Sequence, residues 1–410
     1  MGMRFPGWLG VIVLVAIALR LGLFVAQRDR PIVLDETSYD QIARNLAAGY
    51  GYSKGETEAD RAPTAERGPS YVLVVAACYR WAGHHPRAVF LLQILFDAIS
   101  MLLVYWLARR WFPSPRVGLV AAAMFGAYPP FVFMAMQLLT ESFTTLALLA
   151  GVALFVATLE RPRWPVLVGS GVALGISALA KSQLAPMAAL FAVASIPSLG
   201  LAAALRRALG VALVTALVMS PWIVRNARVF HAFIPGVSSA GRDLWQGSGA
   251  LDGHTIGGID SPLVSDSLRA ALLQMSEVER SRWGAQETWR VIVAHPARYA
   301  WLSLRKCFQV WLNLGFDARP SRASVAIATL NLLLFGLAII GLRRGGADPW
   351  GARFIAWLAA FWTVVHVPFS PQVRYSYPFF ALLVIFSAAG LVTLAMRAGW
   401  LREEGAAVGA

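Results

Sequence analysis

Two adjacent carboxylates, Asp35 and Glu36, stand just beyond an apolar run from Trp8 to Val25 that is long enough to cross a bilayer. Between run and pair the chain turns polar at Gln27-Arg28-Asp29-Arg30. A carboxylate at a membrane edge can take a proton from a hydroxyl, orient a neighbouring group or hold a cation through oxygen. Tyr39, Ile42, Ala43 and Leu46 recur at helical spacing, and Gly49-Tyr50-Gly51 ends the pattern. The spacing predicts a short amphipathic helix from Thr37 to Ala48, lying in the interface. The competing role is structural, with Asp35 as N-cap of that helix and Glu36 favoured by its dipole.

Three further charges are expected at the same level. Glu141 opens a span after Leu138-Leu139-Thr140, Lys181 follows the apolar run Gly171 to Ala180, and Arg374 sits in Pro371-Gln372-Val373-Arg374-Tyr375. Ionisable groups near hydrocarbon are costly unless paired, hydrated or used, so their convergence at one depth marks a candidate polar site. For Lys181 and Arg374 the alternative is snorkelling to the headgroups.

The elements that must position these groups follow from composition. With 58% hydrophobic residues and 14% charged, the chain is too apolar for a soluble domain of its length, and the reading is an all-α polytopic membrane protein. The net charge of +14 is spread in small clusters between apolar runs, which excludes a nucleic-acid-binding patch and points to topology. Cys78 and Cys307 make neither a metal motif nor a disulfide framework.

Ten spans are expected: Trp8–Val25, Ala88–Leu107, Val117–Phe133, Ser142–Leu159, Trp164–Leu179, Leu184–Leu205, Ala208–Val224, Val325–Leu342, Phe354–Pro368 and Tyr377–Met396. The N-terminus, with Arg4, reads as cytoplasmic and uncleaved, because Arg20 interrupts the first run and no small-residue cleavage site follows it. Inner loops then hold Arg109, Arg110 and Arg116, Arg161 and Arg163, Arg206 and Arg207, Arg343, Arg344 and Arg353, and Arg397 and Arg402, while short outer loops hold only Lys181 and Arg374. That asymmetry obeys the positive-inside rule, provided that the short apolar piece Pro69–Ala82 is a juxtamembrane helix and not a span.

The chain therefore reads as one transmembrane domain, 1–400, with outer loops at 27–87 and 225–322 and a cytoplasmic tail at 401–410. The second loop starts with a Gly-rich stretch, Gly236–Gly258, containing Trp245. An amphipathic helix from Ser265 to Ala294 and an interfacial helix from Tyr299 to Leu314, interrupted by Arg305 and Lys306, follow. Trp245 is a candidate platform for a sugar ring, against the commoner role of interfacial anchor. His84 and His85 have no carboxylate at metal-ligand spacing and are read as loop residues.

In order and membrane level, these features resemble the GT-C glycosyltransferases that use polyprenyl-phosphate sugars, especially the protein O-mannosyltransferase and aminoarabinose transferase superfamily. The matching pieces are Asp35-Glu36-x-x-Tyr39, Arg67-Gly68-Pro69-Ser70-Tyr71, Thr140-Glu141, Lys181, Pro221-Trp222-Ile223-Val224-Arg225-Asn226, His295-Pro296 and Arg374-Tyr375. The proline-rich element of the family is replaced by Arg-Gly-Pro-Ser-Tyr.

The resemblance implies a GT-C fold and transfer of a sugar from a polyprenyl-phosphate donor to a lipid, glycan or protein acceptor on the outer face of the plasma membrane. Asp35 would be the base; Arg374, Lys181 and Arg225 would hold phosphate; Tyr39, Arg67 and Tyr375 would line the substrate site. Glu36 and Glu141 would orient the base, contact sugar hydroxyls or, with Asp35, hold a divalent cation; a metal-independent reaction is preferred. A single base with no second nucleophile implies inversion. The alternative from another class is a transporter or flippase of lipid-linked sugars, which would carry its polar groups near the bilayer midplane, where only Arg20 and Asp97 stand out. A related polysaccharide polymerase would differ in its acceptor, and a purely structural subunit would give the Asp35-Glu36 pair no purpose.

Overall fold

The computed structural model describes residues 6–248, 264–312, 321–369 and 372–401. Arg4, Pro371, Arg402, the 249–258 part of the Gly-rich stretch, the 313–314 end of the interfacial helix and the tail from 402 lie outside them.

Seventeen α-helices are described. They run α1 (Gly7–Ala26), α2 (Asp35–Ala47), α3 (Pro69–Ala82), α4 (Pro86–Trp111), α5 (Pro115–Ala127), α6 (Pro129–Met134), α7 (Glu141–Glu160), α8 (Trp164–Ala180) and α9 (Met187–Leu199). Then come α10 (Leu201–Phe230), α11 (Ala240–Ser248), α12 (Asp266–Gln274), α13 (Glu277–Ala294), α14 (Pro296–Leu312), α15 (Arg322–Arg344), α16 (Pro349–His366) and α17 (Tyr377–Arg397). A two-stranded ladder pairs Ser53–Lys54 with Ala62–Pro63 in the first outer loop.

All ten expected spans are helical, but their boundaries differ from the expectation. Seven stretches are both long and apolar enough to cross a bilayer: α1, α4, α7, Ser182–Leu199, α10, α15 and Val373–Arg397. α5 and α8 are apolar but shorter. The expected Val117–Phe133 span breaks at Tyr128, where the Pro129-Pro130 pair removes two backbone donors and starts α6. The break expected near Arg206 falls instead at Gly200, whose φ of +75° turns the chain between α9 and α10. Arg207 is thus helical and donates to the Thr158 carbonyl at 2.7 Å, at the C-terminal end of α7. At 30 residues, α10 is about 45 Å long, more than the hydrocarbon core needs, so one end stands clear of it.

α17 is the centre of the bundle: every residue from Tyr377 to Gly390 is buried. A largely apolar sequence without a polar stripe suits a helix enclosed on all sides. α15 crosses it closely at Gly341 and Gly390, where a Cβ would lie 2.1 Å from the Phe386 oxygen and 1.9 Å from the Leu337 oxygen respectively. The outer helix α1 buries little beyond Leu9, Ala16 and Arg20. It is fastened by Arg20, whose Nε donates to Asp97 Oδ2 at 2.8 Å and whose Nη1 donates to the Gly126 oxygen at 2.9 Å. The two midspan charges are therefore spent on each other.

Candidate active site

α2 is held at its first turn. The N-cap is Leu34, not Asp35, and its φ of +54° is unusual for a side chain of that size. Asp35 is the first helical residue and makes no capping bond, so the capping alternative is not adopted. Glu36 is buried. Arg30 grips it with two bonds of 2.9 and 2.5 Å, and the Leu138 amide donates to it at 2.6 Å. A bidentate guanidinium and a backbone donor make Glu36, expected beside Asp35 as a candidate catalytic carboxylate, an anchor for the start of the helix.

Asp35 is left facing two cations. Arg67 Nη2 donates to Oδ1 at 2.7 Å, and Arg374 donates to Oδ2. Burial by itself would raise the Asp35 pKa, but Arg67 and then Arg374 outweigh it and hold the carboxyl well below the usual carboxylate range. Arg67 also lies 5.0 Å from the centre of the Tyr39 ring, one turn along α2. Its position depends on Gly68, where a Cβ would meet the Leu179 oxygen at 2.0 Å. The turn into α3 thereby rests on the last turn of α8, immediately before Lys181. Arg374 sits on a short 3₁₀ turn, Val373–Ser376, which Trp362 pins by donating from Nε1 to the Tyr375 oxygen at 3.0 Å.

Lys181 and Glu141 form a second, buried pair, Nζ to Oε1 at 3.1 Å. The other Glu141 oxygen, Oε2, is buried without a hydrogen-bond partner. Lys181 Nζ lies 4.8 Å from the Tyr375 ring centre. A cavity of about 540 Å³ opens here, lined among others by Tyr39, Arg67, Lys181 and Tyr375.

Two expected substrate contacts are placed elsewhere. Arg225, on the projecting end of α10, donates to the Thr64 and Tyr52 oxygens at 2.8 and 3.0 Å. Its motif partners do likewise: Trp222 and Asn226 donate to the Gly236 and Ile234 oxygens at 2.7 and 3.0 Å. The motif ties both outer loops together, and Arg225 does not line the cavity that holds Lys181 and Arg67. Trp245 is buried with Val264 and Leu272, 5.0 Å from the Trp283 ring, in the apolar core of the second loop. It is helical, on α11, and cannot serve as a sugar platform. The long helix expected from Ser265 to Ala294 divides at Ser276, where a capping box with Glu279 starts α13.

The expected metal trio is also divided: Asp35 faces Arg67 and Arg374, Glu36 faces Arg30, and Glu141 faces Lys181. Among the described residues, no three of His, Cys, Asp or Glu are grouped as a metal site.

Sequence reasoning missed three residues. Glu277 accepts from the Ala65 amide at 3.0 Å and the Ser238 hydroxyl at 2.8 Å, tying the two outer loops together. His366 lines the cavity and stands 3.3 Å from Gln183. A histidine near the end of an apolar run was the available signal. Arg30 was visible only as part of a polar cluster.

The described bundle has the GT-C fold of polytopic membrane glycosyltransferases. The sequence profile of the family described as dolichyl-phosphate-mannose-protein mannosyltransferase matches residues 66–224, from the turn that carries Arg67 to the end of the spanning part of α10. The archaeal oligosaccharyltransferase AglB from Archaeoglobus fulgidus, in complex with an inhibitory peptide and a dolichol-phosphate, matches at a TM-score of 0.59 and 14% identity, over 98% of this chain and 52% of that one. The oligosaccharyltransferase of the same organism tethered with an acceptor peptide matches at 0.58 and 12% identity, over 96% and 50%. ArnT from Cupriavidus metallidurans bound to undecaprenyl phosphate gives 0.47 and 16%, over 95% and 78%. The chain spans about half the length of the archaeal enzymes, and at these identities the likeness is one of fold. No curated protein matches it in sequence.

Proposed function

We propose that the chain is a membrane glycosyltransferase that moves a sugar from a polyprenyl-phosphate donor to an acceptor hydroxyl at the outer face of the plasma membrane, with inversion. The observation that carries this reading is Asp35 held between Arg67 and Arg374 beside a cavity that also holds Lys181. The matched family profile and a fold neighbour in complex with a dolichol-phosphate support the donor class.

In the reaction, the acceptor oxygen attacks the anomeric carbon as the bond from that carbon to the phosphate oxygen breaks, and the electron pair leaves with the phosphate. Asp35 takes the hydroxyl proton. With both guanidiniums on it, Asp35 is a weak base; the donor phosphate competes for Arg374, and Lys181 is close enough to share it. Arg67 stays behind to orient the carboxylate. Donor binding thus comes first and makes Asp35 more basic. The cations of the reading are protein side chains, so transfer is expected to survive EDTA. The pairing of Arg20 with Asp97 engages the two midspan charges with each other, which supports an enzyme over a flippase.

The test is release of labelled sugar from a panel of polyprenyl-phosphate sugars by the purified chain in nanodiscs, with membrane extract supplying acceptor. Transfer of label supports the reading. Donor moved across the bilayer without loss of its sugar would overturn it.

A further inference from the structure

A second cleft, of about 930 Å³, opens beside the opposite end of α2 and shares no lining residue with the active-site cavity. Its wall draws arginines from three segments: Arg44 from α2, Arg61 from the first outer loop and Arg80 from α3. Glu56 is the one carboxylate in the lining, so three positive charges face one negative. The neighbouring Asp40 does not offset them freely, because it already accepts from Tyr79 at 2.6 Å, contacts His84 at 2.8 Å and pairs with Arg44 at 3.6 Å.

The three arginines are not equivalent. Arg44 is shared between Asp40 and Glu56. The Arg61 guanidinium carbon lies over the Tyr50 ring, 3.7 Å from its centre, and its Nε is withdrawn from solvent without a partner. Stacking on an aromatic fixes a guanidinium plane in advance and leaves its edge for a planar or tetrahedral anion. Arg80 is exposed and has no carboxylate partner among the described residues. Arg61 and Arg80 thus line one cleft with guanidinium groups that no described carboxylate neutralises, which suits a phosphate or carboxylate group.

Helix geometry relates this cleft to the base. Arg44 is nine positions after Asp35 on α2, about 14 Å at 1.5 Å per residue. We infer that the cleft of Arg44, Arg61 and Arg80 holds a phosphate or carboxylate group of the acceptor, so that an extended anionic acceptor reaches Asp35 with its hydroxyl while its charge is gripped at the far end of α2. This rests on the glycosyltransferase reading. It excludes a small neutral alcohol as the preferred acceptor.

The experiment uses the full chain in phosphatidylcholine nanodiscs, saturated with undecaprenyl phosphate to occupy Arg374 and Lys181. The probe is a dye-labelled glucose 6-phosphate, with labelled glucose as the uncharged control, followed by fluorescence anisotropy. The phosphate probe should bind at least tenfold more tightly than the control. Arg61→Gln with Arg80→Gln should cost roughly tenfold per arginine, and the paired lysine variant should recover part of it. An unchanged unfolding midpoint establishes that the variants fold. Equal binding of the two probes, or of the phosphate probe by wild type and the double Gln variant, overturns the inference. So does loss of probe binding in discs containing phosphatidylglycerol, which would assign the cleft to bulk anionic lipid. Undecaprenyl phosphate binding, measured on the same preparations, tests the glycosyltransferase reading separately. Its absence from wild type would sink that reading while the probe contrast still decides whether the cleft selects anions.

Discussion

Arg374 closes an ion pair with Asp35 across 339 positions of sequence, joining the turn before the last helix to the first residue of α2. The proposed base and a proposed phosphate ligand are therefore bound to each other when no donor is present. Several consequences of that competition can be measured.

Asp35→Asn should abolish sugar transfer, by a factor of a thousand or more, since the amide keeps the shape and loses the proton acceptor. It should also free Arg374, so undecaprenyl phosphate should bind the variant more tightly than wild type, by roughly threefold to tenfold. Transfer at wild-type rate would show that another group takes the proton. Weaker lipid binding would show that Arg374 does not change partners.

The same pair fixes the pH response. The folded Asp35 pKa is depressed, so its contribution to stability is complete above the unfolded value near 4 and is lost only as pH falls further, through the depressed one. Donor kcat/KM, which reports the free enzyme, should be flat on the acid side from pH 7 down to 5. kcat, which reports the complex after Arg374 has moved, should show an acid limb at higher pH than kcat/KM does. Coincident acid limbs in the two profiles would remove the competition from the mechanism.

Glu141 and Lys181 are both buried, so removing one strands the other. Lys181→Met should destabilise the protein by about 3–5 kcal/mol, and adding Glu141→Gln should restore much of the loss. Thermal unfolding in detergent measures both. Additive losses would mean that the two residues act independently.

If Arg225 organises the outer loops, Arg225→Gln should leave undecaprenyl phosphate binding within about twofold of wild type while exposing the first loop to trypsin at Lys54 and Arg61. Glu277→Gln should act in the same direction. A large loss of lipid binding with unaltered proteolysis would return Arg225 to the phosphate site.

Much of the fold could be read because bilayer physics is one-dimensional: apolar length and arginine placement give spans and their order. α3 begins and ends at Pro69 and Ala82, as the proline and the length of the run predict. The misplaced breaks, at Tyr128 and Gly200, lie inside runs where hydropathy is uniform and only a proline pair or one glycine marks the turn. In the candidate site, Asp35, Arg374, Glu141 and Lys181 were legible because a charge beside hydrocarbon needs a reason, and Arg67 only through the family resemblance. Arg225 and Trp245 are engaged elsewhere, since a cation can as readily bind carbonyls as phosphate, and an aromatic can fill a core. Glu277 was unreadable because its partners, Ala65 and Ser238, are distant in sequence and chemically ordinary.

The contact of Gly68 with the Leu179 oxygen makes the turn carrying Arg67 and the helix ending at Lys181 a single block. Natural variation in substrate choice would have little room there, since any larger residue at 68 would push the two cations apart. The opposite wall of the cavity, from Pro235 to Ala240, is tied down by Trp222 at the Gly236 oxygen and by Glu277 at the Ser238 hydroxyl, and neither tie uses the side chains of Pro235, Val237 or Ala240. Under the proposed function, a lineage could exchange one sugar for another through those side chains alone, and inherit its hold on the leaving group intact.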